Sequence, residues 1–317
     1  MISNLVFCLN ATMPIFLMMV VGYLLKKINF VDDKSVGVMN KLVFRVFLPA
    51  LLFIDLATQD FKGIWDTKFV LFCFVVTVVS IFLAFLISLM FKDGSSRGEI
   101  VQASYRSAAA TLGIAFMSNI YDNVSMVALM IIGSVPLYNI AAVIILSLTS
   151  PDKENVQDKR GIFVKTLKGI VTNPIILSVF AGLIWSVLSL PQPVIAFKAV
   201  TYLGNVASPL ALIVLGASFE LSDVKEKKWE IIVSNINKLF LFALLFLPLA
   251  IYLGFRDEKI VAILIMLGSA TTSSSFIMAK NMGHKGAVSS GAVMTTTFLS
   301  SFTLTLWLFI LKTLGYI

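Results

Sequence analysis

Long apolar runs, separated by short polar stretches, cover the chain from end to end. Ten of them are predicted as membrane-spanning helices, roughly 5–25, 36–57, 68–91, 99–120, 124–148, 166–190, 195–219, 231–254, 258–280 and 286–311. Most approach or exceed the ~20 residues a helix needs to cross a bilayer. The longest connection, 149–165, contains the charged core PDKENVQDKRG and reads as a cytoplasmic linker. The pattern also repeats itself at an offset of 160 residues. Pro14 matches Pro174, Gly22 matches Gly182, Pro49 matches Pro209, and Phe116 matches Phe276. Ile100-Val101 matches Ile260-Val261, and Ala110-Thr111 matches Ala270-Thr271. Each half holds five runs, an odd number, so the second half enters the membrane from the opposite side. The reading is an all-α membrane protein, with one five-helix repeat over 1–150, a linker over 151–165 and an inverted repeat over 166–317.

Composition agrees with this pattern. Of 317 residues, 58% are hydrophobic and 13% charged, about half the charged share of a soluble domain. The net charge of +8 does not point to nucleic acid, because the basic residues are dispersed over loops. They are unevenly dispersed. With the N-terminus outside, the cytoplasmic connections hold fifteen Lys and Arg and the outer ones six, which places both termini outside the cytoplasmic membrane. The segment MISNLVFCLN has no positive start, so the first run is expected to stay as a span. Cys8 and Cys73 both sit in apolar runs and read as packing residues.

Two predicted spans carry most of the polar chemistry, and the repeat makes them partners. The fourth contains Tyr105-Arg106-Ser107-Ala108-Ala109-Ala110-Thr111-Leu112-Gly113. The ninth contains Gly268-Ser269-Ala270-Thr271-Thr272-Ser273-Ser274-Ser275-Phe276. Ser and Thr can satisfy opened helix turns, and small residues let backbones approach. Both spans are therefore predicted to be discontinuous and to cross near the midplane, offering half-helix N-termini to an anion. A close helix interface with hydroxyls bonded back to their own turns is the alternative.

Ionisable residues within spans are costly unless they meet a cavity or a partner. Arg45 lies about 13 Å into the second span, near the centre of a ~30 Å core. It is a candidate for the cavity and shares its repeat position with Asn205. Glu220 or Glu99 from another span is a possible countercharge. Lys41 and Lys238 are expected to snorkel to the surface. Arg106 either lines an inner vestibule or snorkels. Asp55 is a candidate carrier of a coupling proton or cation, or an exposed carboxylate at a helix end. His284 reads as a solvated loop residue. Enzyme signatures such as H-E-x-x-H, G-x-S-x-G and G-x-x-x-x-G-K are absent, and one histidine with two separated cysteines cannot build a zinc site. The chain is read as a non-enzyme with no cofactor and no metal.

The segments FLPALLFIDLA at 47–57, SPLALIVLGASF at 208–219 and NPIILSVFAGLIW at 173–185 resemble the auxin efflux carrier family. That family includes plant auxin exporters and bacterial malate/malonate-type permeases, and the resemblance covers almost the whole chain. It implies ten helices in two inverted five-helix repeats, with helices four and nine crossing at the substrate site. Where the family's fourth span reads R-x-N-x-G-x-x-G-x-P, Arg106 and Gly113 match. Ala108, Ala110 and Ala115 stand in place of the usual Asn, Gly and Pro, and Thr271 stands where a Pro is common in the ninth span.

The expected activity is secondary active transport of a small organic anion by alternating access. Arg45, Arg106, Thr111, Gly113, Asn205, Thr271, Ser273, Ser274 and Ser275 are the substrate-site candidates. Asp55 is the coupling candidate, with a proton or sodium as the ion and a homodimer as a possible assembly. The alternatives are a non-transporting membrane sensor or partner-binding protein of the same fold, and a sodium-coupled symporter of the bile acid type.

Overall fold

The computed structural model describes residues 17–58, 65–109, 125–150 and 172–317, together with Pro14, Met117, Ile120 and Tyr121. Among these residues the structure is all helical, with no strand. The main helices are α1 (17–27), α2 (Asp33–Ala57), α3 (Thr67–Ser88), α4 (Arg97–Tyr105), α5 (Ser125–Leu148), α6 (Pro174–Val187), α7 (Val194–Ala217), α8 (Lys228–Tyr252), α9 (Asp257–Gly268), α10 (Ser274–Asn281) and α11 (Ala287–Thr313), with one further turn of helix at Leu221–Glu226. Six of them, α2, α3, α5, α7, α8 and α11, are long and apolar enough to cross a membrane.

Local chemistry sets the helix ends. Asp32 accepts the Ser35 amide at the start of α2, Asp66 accepts the Phe69 amide at the start of α3, and Asn173 accepts the Ile175 amide ahead of Pro174. Each satisfies one of the donors that a helix start leaves open. The lipid side is legible on α3, where Leu71, Phe74, Val75, Val78, Phe82 and Phe85 are exposed at helical spacing. The opposite face of α3 buries Phe69, Phe72, Cys73, Val76 and Ala84. An apolar face turned outward is costly in water and favourable in acyl chains.

Two helices contain a wider π turn. In Val43–Phe47 of α2, the Leu48 amide donates to the Val43 carbonyl five residues back, just before Pro49, which has no amide to give. In Asn237–Leu241 of α8, the Phe242 amide donates to the Asn237 carbonyl. Each π turn holds one basic residue, Arg45 in the first and Lys238 in the second.

Bare glycine backbones seat α1 on α7 and α6 on α2. A Cβ at Gly22 would stand 2.1 Å from the Ile213 carbonyl, and one at Gly182 would stand 2.9 Å from the Phe53 carbonyl. The offset of 160 exchanges these two contacts, since it takes Gly22 to Gly182 and Phe53 to Ile213. α3 packs on α4 and α5, and α8 packs on α9 and α11.

Candidate functional site

α4 ends at Tyr105, and Arg106 takes up an extended conformation. α9 ends at Gly268 and α10 begins at Ser274, leaving 269–273 outside any helix. The two interruptions lie against one another. The Ala108 amide donates to the Ala270 carbonyl at 2.8 Å, and the Ser107 hydroxyl donates to the Ile265 carbonyl at 3.1 Å and pairs with the Ser269 hydroxyl. The Thr271 hydroxyl donates to the Ala103 carbonyl at 2.8 Å, while its amide donates to Thr296 Oγ1 at 3.0 Å. Small residues at 107–109 and 269–271 permit this approach. The hydroxyls replace the helical bonds that both breaks forfeit.

Beside the breaks lies a cavity of about 340 Å³. One wall comes from α2 and α7, with Leu51, Asp55 and Pro209. The other comes from the two breaks and α5, with Arg106, Ser274 and Asn139. The lining is mainly apolar, with few polar groups, the usual balance for a small-molecule site.

Arg106 is 2% exposed. Its Nη2 donates to Asn139 Oδ1 and to Ser274 Oγ, both at 2.9 Å. Its Nη1 lies 2.8 Å from the Met278 sulfur and 3.5 Å from Gln102 Oε1. Its Nε is buried with no hydrogen-bond partner among the described residues. Every one of these contacts is neutral, so the guanidinium is oriented by dipoles rather than by a carboxylate. A buried cation in neutral company is stabilised by an anion brought to it. The start of α10 adds to this, because no side chain caps it and its partial positive end faces the same cavity at Ser273 and Ser274.

The structure gathers Arg106, Thr271, Ser273, Ser274 and Asp55 around this cavity. Ser275 is buried one step behind it, where its carbonyl accepts from Gln102 Nε2 at 2.9 Å. The Thr271 hydroxyl is committed to Ala103. Arg45 and Asn205 are not brought in, since both side chains are exposed on faces of α2 and α7 that do not line the cavity. Thr111 and Gly113 lie outside the described residues.

Three expectations for polar residues are corrected. Lys238 does not snorkel: it is 0% exposed, and its Nζ lies 3.1 Å from the Met266 carbonyl and 3.5 Å from the Tyr105 carbonyl. Carbonyls in the last turn of a helix have no partner of their own, and the ammonium supplies one. His284 is not solvated; it is 4% exposed, with Nδ1 3.1 Å from the Ser95 carbonyl and Nε2 3.0 Å from the Leu146 carbonyl. Glu99 is no countercharge to Arg45, because its carboxylate accepts the amides of Gly286 and Ser289, each at 2.9 Å, at the start of α11. Asn139, Gln102 and Tyr138 also join the site, although the hydrophobic pattern does not single them out. A lone Asn within the apolar stretch 125–148, close to Pro136, was the available signal.

Long apolar helices around a cavity faced by a buried arginine define a multi-pass membrane protein. Residues 7–308 match the family described as membrane transport protein, and the chain belongs to this family, that of the auxin efflux carriers. A Rhizobium meliloti (strain 1021) protein, provisionally named a malonate transporter, is 25% identical over 95% of this chain and 94% of its own length. A protein named as an uncharacterised transporter, from Methanothermobacter thermautotrophicus (strain Delta H), is 20% identical over 94% of this chain and 96% of its own length.

Proposed function

We propose that this chain is a secondary active transporter that moves a small organic anion across the cytoplasmic membrane by alternating access. The observation that carries the reading is Arg106, a buried guanidinium with neutral contacts that opens onto the cavity. The uncapped start of α10 adds a second positive element at the same place. The name of the Rhizobium relative points towards a carboxylate.

The proposed architecture is ten spans in two inverted five-helix repeats, with the fourth and ninth interrupted and crossing at the site. The exchanged glycine contacts, 22 with 213 and 182 with 53, support a two-fold relation between the halves. The contact between 106–108 and 269–271 supports a crossing. A cavity walled by α2 and α7 on one side and by the breaks on the other is suited to alternating access. Relative movement of the two walls would open it to either face. Asp55, on the α2 wall, is the proposed coupling group.

Malonate uptake into vesicles reconstituted with the protein tests this. Uptake above that of protein-free vesicles, abolished by Arg106→Met, is the expected result. A folded wild type that binds malonate without moving it would favour a sensor, and uptake that follows sodium rather than pH would favour a sodium-coupled symporter.

A further inference from the structure

We propose that Lys238 is the positioning residue of the anion site, holding the two helix breaks together and supplying the cavity with a second positive charge. This rests on the reading of the Arg106 cavity as an anion site.

The π turn at Asn237–Leu241 sets the Lys238 side chain inside the bundle, fully buried. Its Nζ reaches Met266 O in the last turn of α9 and Tyr105 O at the end of α4. Helix C-termini carry partial negative charge, so one ammonium satisfies both ends at once. In the 160-residue register Tyr105 corresponds to Ile265, one residue before Met266, so the two carbonyls occupy nearly equivalent places in the two breaks. The clamp is also joined to the cavity wall. Tyr138 lines the cavity, and its hydroxyl donates to the same Met266 carbonyl at 3.3 Å. Arg106 follows Tyr105 directly in the chain. A displacement at Lys238 therefore moves groups that face the ligand.

The groups around Lys238 leave its charge open. Tyr105 and Tyr138 present phenols whose hydroxyls are spent on the Tyr138 and Met266 carbonyls. On α4, Glu99 is held by the amides of Gly286 and Ser289, and on α8, Glu230 faces Lys227 at 3.6 Å. Among the described residues Lys238 has no ion pair. The carboxylate that lines the cavity, Asp55, stands on the α2 wall, and an anion bound beside Arg106 adds negative charge on the side of the two cations.

The test combines two measurements on the purified wild type, Lys238→Met and Lys238→Arg. Without ligand, backbone hydrogen exchange at 106–109 and 266–273 is expected to be faster in Lys238→Met and near wild type in Lys238→Arg. Unchanged exchange in Lys238→Met overturns the clamp. With malonate and its singly charged monomethyl ester as probes, Lys238→Met is expected to bind malonate on the order of tenfold more weakly. The ester should lose less, and Lys238→Arg should stay close to wild type. A folded Lys238→Met with unchanged malonate affinity, or with equal losses for the two probes, overturns the positioning role. If the wild type binds neither probe, the anion reading fails, and the exchange comparison still decides the clamp. If Lys238→Met does not assemble, Tyr138→Phe carries the test: faster exchange at 266–273 supports the clamp and no change overturns it.

Discussion

Replacing Arg106 by methionine removes the charge while keeping most of the apolar volume. The guanidinium bonds to Asn139 and Ser274, touches the Met278 sulfur, and makes a longer contact to Gln102. After the change the Ser274 hydroxyl keeps Thr272, 3.1 Å away, and Asn139 Nδ2 keeps the Val135 carbonyl. The main orphan is Asn139 Oδ1, worth about 1–3 kcal/mol. Relief of a buried charge with neutral contacts offsets much of this, so the folded state should survive with a small change in melting temperature. Anion binding should not survive, because breaking a buried ion pair costs about 3–5 kcal/mol, or two to nearly four powers of ten in Kd. Arg106→Lys keeps the charge and loses the fork, and is expected to fall between the two. Titration calorimetry with malonate on detergent-purified protein, beside thermal melts, separates the two effects. A folded Arg106→Met that binds malonate within threefold of wild type would refute the assignment.

Glu99→Ala leaves two buried amides at the head of α11 without acceptors and should destabilise the protein by roughly 3 kcal/mol, read as a lowered melting temperature. Asp93 lies outside the spans; burial pushes its carboxyl up, but the Lys227 ammonium at 2.5 Å and bonds from Ser95 and Ser96 outweigh this and hold it well below the usual carboxylate range. A lowered folded value stabilises above the unfolded value of about 3.9 and is lost as pH falls, so the melting difference between wild type and Asp93→Asn should be constant near neutrality and vanish in acid. Gly22→Ala sets a Cβ against the Ile213 carbonyl and should cut folded yield sharply, whereas Gly37→Ala, with open space around it, should be neutral or stabilising by up to about 1 kcal/mol; size-exclusion profiles compare them.

Much of the frame could be read from hydrophobic period alone, because lipid leaves helices few alternatives. The interruption of the ninth span was legible in the tract 269–275, where hydroxyls are too dense for a lipid-facing surface. The partition of the cations was not. Arg45 and Lys238 look alike in sequence, each some two turns into an apolar run. Which one is buried depends on what the neighbouring helices present. Lys238 meets two carbonyls left open by distant breaks, while Arg45 finds no described partner and stays outside. The burial of His284 is hidden for the same reason, since the carbonyls beside its ring, those of Ser95 and Leu146, lie more than a hundred residues away.

The π turn in α8 makes segment length matter as well as segment spelling. It contains one residue beyond what an α-helical turn uses, and that surplus sets the rotational phase between 228–236 and 242–252. Deleting a single residue there would turn one half of the helix about 100° against the other and shorten it by about 1.5 Å. Trp229 and Ile232 would then no longer share a lipid-facing side with Leu244 and Leu245. Any descendant of this chain that gains or loses a residue across 237–241 must therefore rephase an entire helix.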